Sequence, residues 1–354
     1  MVVYRIENVH LAYPGGFCLV VPYLSLAEGK VLAVIGPNGA GKTTLLNTLA
    51  FFERPKGALI ELFGKRLKKP QIDLNLRRLI SVVFPRPYLL NDTVFNNIAL
   101  PLRIRGIRNT AAVGQACEDF KIAHLKTKNA LKISHGEMHR VALARALVTQ
   151  PRLLLMDEPF SSLDPRYKDT LITDLRRTIR DNHLTTVFVT QDQSEALRLG
   201  DEICVMKNGR ILQRDLPSRL FSHPASRDVA DFVGIETIIE GQVVKKEDNL
   251  CSVKINGTTL EAISACERGD NVFVCIRPED VIISRQDEAT SARNRFKAKI
   301  IKIEPWMLEY KVAIEAGFPL VSFVTKQSIE SLNLKPEKEI FVSFKATAIH
   351  LIKR

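Results

Sequence analysis

Lys30-Val-Leu-Ala-Val-Ile35, followed directly by Gly36-Pro-Asn-Gly-Ala-Gly-Lys42-Thr43, decides the fold. The first six residues read as a buried strand, and Lys42–Phe52 reads as a helix that stops before Pro55. Between them, Gly36-x4-Gly41-Lys42-Thr43 has the spacing of a phosphate-binding loop in the strand–loop–helix context that such a loop needs. Its glycines let backbone N–H groups close around phosphate oxygens, and the helix N-terminus adds partial positive charge. Lys42 then reaches the β- and γ-phosphates of a nucleotide, and Thr43 holds Mg²⁺.

Further along, Leu153-Leu-Leu-Met-Asp157-Glu158 is an apolar strand ending in two acids. Asp157 suits a water-mediated Mg²⁺ contact, and Glu158 is placed to polarise an attacking water. Thr186–Thr190 is another short β-rich run, apt for a central parallel strand. The stretch from about 88 to 135 turns helical and more polar. The expectation over 1–235 is therefore an α/β P-loop NTPase domain with an inserted helical subdomain.

From 236 to 354 short alternating segments are separated by turns such as Asn256-Gly257, as in small β-barrels, with one helix expected at Lys326–Leu332. An all-β, OB-like domain is expected there. Hydrophobic residues are 45% and charged residues 25% of 354, a globular balance. No run of about 18 apolar residues exists to span a bilayer, and the opening stretch Met1-Val-Val-Tyr-Arg-Ile-Glu-Asn8 carries acidic and polar residues where a signal peptide needs an apolar stretch. The chain is expected to stay in the cytosol.

Six cysteines without paired or zinc-like spacing read as buried thiols. The formal charge of +12 suits an anionic membrane face or an acidic partner. Its basic residues are scattered apart from runs such as Lys65-Arg66-Leu67-Lys68-Lys69, so nucleic acid is not an expected partner.

Ile133-Ser-His-Gly-Glu-Met-His-Arg-Val-Ala-Leu-Ala-Arg-Ala-Leu147 resembles the signature segment of ABC ATPases. Ser161-Ser-Leu-Asp164 resembles their D-loop and Val189–Leu197 their switch segment, and Tyr13 falls where the family stacks an aromatic on adenine. The resemblance covers 1–235 and implies a head-to-tail pair of ATP-binding subunits, either a homodimer or a heterodimer. It implies ATP contacts from Tyr13, Gly36, Asn38, Gly39, Ala40, Gly41, Lys42, Thr43 and Thr44, with Glu158, Lys42 and Gln191 catalytic and Thr43 and Asp157 on Mg²⁺. It implies that Ser134, Gly136, Glu137 and Asp164 meet the partner's ATP. It further implies an integral-membrane permease and, indirectly, a substrate-binding protein, at the cytoplasmic face of the inner membrane.

Three positions depart from the family pattern. Pro85 stands where a glutamine contacts metal and water, His135 replaces the first signature glycine, and Gln191 replaces the switch histidine. Proline offers no side-chain donor or acceptor, His135 adds bulk near phosphate, and an amide carries no positive charge. ATP binding with slowed hydrolysis is the expectation.

Ile276-Arg-Pro-Glu-Asp280 resembles the regulatory OB-type domain of importer ATPases, and Ser291-Ala-Arg-Asn294 opens a segment similar to molybdate-binding modules. Val324–Ser328, Leu332–Lys335 and Phe344–Ala348 follow in that module's order. Ser291, Arg293, Lys345 and Thr347 offer donors and positive charge for a tetrahedral oxyanion. The implied cargo is molybdate or tungstate, with sulfate, sugar or polyamine as alternatives, and a slow nucleotide-gated regulator as the non-transport option.

Overall fold

The computed structural model describes residues 1–67, 72–161, 163–288 and 290–354, which form two compact units, Met1–Pro217 and Ser218–Arg354. Lys68 and Lys69 of the basic run and Ser162 of the D-loop segment lie outside the described residues.

The first unit is built on a ten-stranded sheet. Its strands in chain order are β1 (Val2–Ala12), β2 (Cys18–Ala27), β3 (Val31–Ile35), β4 (Leu59–Leu62), β5 (Lys65–Leu67), β6 (Ile80–Val83), β7 (Leu153–Asp157), β8 (Thr185–Thr190), β9 (Glu202–Lys207) and β10 (Arg210–Asp215). They lie in the order β5-β4-β1-β2-β10-β9-β3-β8-β7-β6. From β9 to β6 neighbouring strands run parallel, whereas β1 pairs antiparallel with β2 and β4. Every residue of β3, β7 and β8 is buried, which is why their sequences are continuous apolar or Thr-rich runs rather than alternating ones.

Helix α1 (Lys42–Leu49) leaves the phosphate loop, and α2 (Leu74–Arg77) precedes β6. The helical segment comprises α3 (Val94–Ile104), α4 (Thr110–Asp119) and α5 (His135–Leu147), with Thr93, Asn109 and Ser134 as their respective N-caps. Helix α5 packs against both α3 and α4. Helix α6 (Pro165–Asp181) opens with Asp164 as cap and proline at its first position, and Asp192 caps α7 (Gln193–Leu199). Buried Arg140 on α5 donates to Asp174 on α6 across 2.8 Å, which ties the helical segment to the sheet's helices. No helix among the described residues is long and apolar enough to cross a membrane.

The second unit starts earlier than the expected change near 235. Helices α8 (Pro217–Ser222) and α9 (Arg227–Phe232) precede its strands. Arg277 donates to the Phe221 carbonyl, His350 Nε2 meets the Pro224 carbonyl at 2.9 Å, and Arg227 lies over the Phe273 ring. These contacts bind a helical pair of the first pattern to the β-rich unit.

Ten strands follow: β11 (Thr237–Glu247), β12 (Leu250–Ile255), β13 (Thr258–Ile263), β14 (Asn271–Ile276), β15 (Ile282–Ser284), β16 (Asn294–Trp306), β17 (Glu309–Glu315), β18 (Pro319–Val324), β19 (Glu339–Phe344) and β20 (Ile349–Lys353). They form two five-stranded antiparallel sheets, β13-β12-β11-β14-β20 and β15-β19-β16-β17-β18. Both contribute to one core, which includes Val253, Leu260, Val274, Ile300, Val312 and Phe344. The turn between β12 and β13 is Asn256-Gly257, both with positive φ, as a two-residue hairpin requires. Helix α10 (Lys326–Leu332) is capped by Thr325.

Candidate functional site

The phosphate loop is fixed by close backbone approach. At Gly36 a Cβ would collide with the Met206 carbonyl. At Gly41, with φ +95, it would lie 2.7 Å from the Phe17 ring. From the β9–β10 turn, Gly209 N donates to Ala40 O at 2.9 Å and pins the loop from outside. A cavity of about 290 Å³ is lined by Phe17, Glu158 and the backbone run Asn38–Thr44. Lys42 is 6% exposed, and its Nζ donates to Gly36 O at 2.8 Å and Pro37 O at 3.0 Å. Burial lowers its pKa against the opposing charges of Glu158 and Asp157. A largely buried ammonium beside a glycine-rich loop at a helix N-terminus fits a polyphosphate.

Strand β7 delivers the acids to this loop. Thr43 Oγ1 donates to Asp157 Oδ1 at 3.2 Å. Burial raises the Asp157 pKa, with the Thr43 bond opposing and the Glu158 charge reinforcing that shift. An oxygen pair of this kind, a hydroxyl beside a buried carboxylate, fits a small hard cation. Glu158 stands in left-handed backbone, φ +42, with its N–H held by Val189 O at 2.9 Å. Non-glycine residues rarely adopt that conformation, and it is concentrated at functional sites.

Gln191 sits between the end of β8 and the cap of α7, and its Nε2 donates to Glu158 Oε1 at 2.7 Å. The segment around it is braced by Lys168 of α6, whose Nζ reaches Asp192 and Glu195 at 2.5 Å each. Burial works to raise the Asp192 pKa, but the Lys168 and Ser194 bonds hold it down to about 2. Lys42, Thr43, Asp157, Glu158 and Gln191 thus meet at one end of the parallel strands.

The second group of expected residues surrounds α5 and α6. Ser134 and Glu137 form a reciprocal cap: Glu137 N donates to Ser134 Oγ at 3.3 Å, and the Ser134 N and Oγ donate to Glu137 Oε2 at 2.7 and 2.8 Å. A Cβ on Gly136 would come within 2.5 Å of the Tyr167 ring. Tyr167 N in turn donates to Asp164 Oδ1 at 3.1 Å, so the signature turn and the α6 cap touch through one aromatic ring.

Phe17, not Tyr13, lines the cavity at the loop. The Tyr13 hydroxyl is hydrogen-bonded to Glu53 and Thr44, and burial with the Glu53 contacts pushes its pKa up to about 12. The two rings are 6.0 Å apart. The glycine-rich loop gave no signal for Phe17, since its position depends on the β1–β2 hairpin. Pro85 follows β6 beside Phe84, which stacks on Phe52 at 6.0 Å.

In the second unit the four oxyanion candidates do not share one lining. Thr347 borders a cavity of about 630 Å³ with Arg277, His350 and Lys353, whereas Ser291 and Lys345 are exposed. Arg293 donates to Glu261 Oε2 at 3.1 Å. Its neighbour Asn294, which sequence reasoning left without a role, is buried and bonds both the N–H and the carbonyl of Glu261 at 2.8 Å.

The ABC transporter model matches residues 22–161, and the TOBE domain model matches 290–351. The molybdate/tungstate import ATP-binding protein WtpC of Pyrococcus horikoshii is 38% identical over 330 residues, covering 92% of each chain. The sulfate/thiosulfate import ATP-binding protein CysA of Thermosynechococcus vestitus is 32% identical and covers 95% of each. The spermidine/putrescine import ATP-binding protein PotA of Pseudomonas aeruginosa is 33% identical over 79% of this chain and 78% of its own. Among solved structures, cbiO1 from Clostridium perfringens, part of the ABC transporter complex cbiONQ, is similar with a TM-score of 0.57 and 26% identity, over 66% of this chain and 95% of that one.

Proposed function

The chain belongs to the ABC transporter family, among the import ATP-binding proteins, and on that premise we propose that it is the ATP-hydrolysing subunit of a molybdate or tungstate importer. The observation that carries the activity is the meeting of a buried Lys42, the Thr43–Asp157 pair and a Gln191-held Glu158 at one glycine-rich loop. The cargo rests on the molybdate/tungstate relatives, 36–38% identical, together with the TOBE match.

Lys42 binds the terminal phosphates and withdraws charge from the breaking bond. Thr43 and Asp157 would hold Mg²⁺, which would neutralise charge on the phosphate oxygens. Glu158 accepts a proton from the attacking water, and Gln191 fixes the carboxylate that does so. Asn38, Gly39, Ala40, Gly41 and Thr44 line the phosphates with backbone and side-chain donors. Phe17, which lines the cavity at the loop, offers the aromatic face for the base, with the Tyr13 ring 6.0 Å from it. Ser134, Gly136, Glu137 and Asp164 face the nucleotide of a second ATP-binding subunit, identical or not.

The permease docks at the groove lined by Phe84, Arg86, Tyr88, Ile104 and Arg145, where Tyr88 is 81% and Ile104 71% exposed. Such aromatic and apolar exposure suits a partner's helix. This arrangement puts the chain at the cytoplasmic face of the membrane, served by a substrate-binding protein on the other side. Co-purification with an integral-membrane subunit, and cargo uptake by the reconstituted pair, test transport; a chain that turns over no ATP and captures no membrane subunit is instead a nucleotide-gated regulator. Calorimetry of the full chain with molybdate, tungstate, sulfate and putrescine tests the oxyanion preference, and equal response to all, or to putrescine alone, overturns it.

A further inference from the structure

The signature turn carries an arrangement that its sequence resemblance does not explain. Ser134, the residue expected to meet a partner's phosphate, already donates its hydroxyl to Glu137. Burial works to raise the Glu137 pKa, yet the Ser134 bonds and the nearby Lys128 and His124 charges hold it below the usual carboxylate range. The turn therefore presents an anionic carboxylate whose oxygen already takes up the serine hydroxyl, a poor surface for another anion.

His135, the exposed first residue of α5, stands beside that pair. Its ring meets His139 edge-on, with centroids 4.9 Å apart and the two Nε2 atoms at 3.3 Å. His139 is buried, and burial first, then the His135 neighbour, lowers its pKa to about 4 despite a bond to the Pro159 backbone. Pro159 has no N–H, so its carbonyl accepts and the single proton of the neutral His139 ring lies there. The His139 nitrogen facing His135 is then an acceptor, and His135 donates to it.

We propose that His135, oriented by His139, is the group of the signature turn that binds the terminal phosphate of the nucleotide held by a second ATP-binding subunit, taking the place of the Ser134 hydroxyl. This rests on the head-to-tail ATP-binding arrangement described above. His135 is a binding residue and His139 a positioning residue whose other bond, to the carbonyl after Glu158, anchors it to the strand that carries the acids. The bulk at this position is thereby a contact rather than an obstruction.

The test is ATP-driven association of the full chain in the Glu158→Gln background, followed by light scattering against ATP concentration. Glu158→Gln alone is expected to associate. Adding His135→Gly should raise the midpoint about tenfold or more, the loss of one hydrogen bond to phosphate, and His135→Lys, which supplies a donor at the same position, should restore it to within about threefold. His139→Leu should raise the midpoint while His139→Gln, which keeps an acceptor, should not. A His135→Gly midpoint equal to or lower than that of Glu158→Gln overturns the proposal and leaves the head-to-tail arrangement standing. Failure of Glu158→Gln itself to associate overturns both.

Discussion

The Gln191 amide nitrogen lies 2.7 Å from Glu158 Oε1, so the residue at the switch position holds the carboxylate that faces the phosphate loop.

Removing the amide should therefore cost turnover more than binding. Gln191→Ala is expected to lower kcat by about 10- to 100-fold with KM within about twofold, since the contact orients a group that acts in the transition state. Steady-state ATPase with Glu158→Gln as the blank checks it. A rise in KM at unchanged kcat would instead make Gln191 a substrate contact.

Pro85 offers the opposite experiment. It stands after β6, at the position where the family supplies a glutamine, and brings no donor or acceptor. Pro85→Gln is expected to raise kcat by about tenfold or more if one metal or water contact is missing. An unchanged rate would mean that the acids and Lys42 already set the speed.

The Arg140–Asp174 pair joins α5 to α6 with both side chains about 5% exposed, and Lys121 adds a second bond to Asp174 at 2.8 Å. Asp174→Ala leaves Arg140 buried without its anion and should destabilise the first unit by about 3–5 kcal/mol. Burial works to raise the Asp174 pKa, but the Lys121 and Arg140 bonds hold it below the usual range. Its contribution is thus complete above the unfolded value near 3.9 and is lost as pH falls through the lower folded one. Denaturant unfolding against pH should show a shallower acid limb for Asp174→Asn than for the parent chain.

Much of the catalytic unit was legible because its determinants are local. Val31–Ile35, Leu153–Asp157 and Thr185–Thr190 are buried on both faces and spell continuous runs, and the loop spacing lies within eight residues of one strand. Phe17 was not legible, since it reaches Gly41 only through the pairing of Val2–Ala12 with Cys18–Ala27. The Ser134–Glu137 cap was written in the Ser-x-x-Glu spacing, a local signal separate from the nucleotide contact that the resemblance implies for the same two residues. The helices at 217–232 follow the α/β pattern in sequence and join the β-rich unit through residues such as Arg277, His350 and Phe273, each more than forty residues from its partner there.

The same distance effect hides the state of Arg293, and it gives the oxyanion reading a sign. Arg293 pairs with Glu261, 32 residues earlier, because the two bonds from Asn294 fix the β13 backbone beside the start of β16. An oxyanion that uses Arg293 must displace this partly exposed carboxylate, a contact worth at most about 1 kcal/mol. Glu261→Gln should therefore raise molybdate affinity by up to about fivefold, whereas Arg293→Ala should lower it. Asn294→Ala serves as the structural comparison: it unpairs the Glu261 backbone and should lower the stability of the second unit before it alters any ligand preference. Calorimetry with molybdate on the three full-length variants reads all of this at once. If Glu261→Gln and Arg293→Ala leave the affinity equal, Arg293 belongs to the β13–β16 seam alone and the oxyanion is held elsewhere.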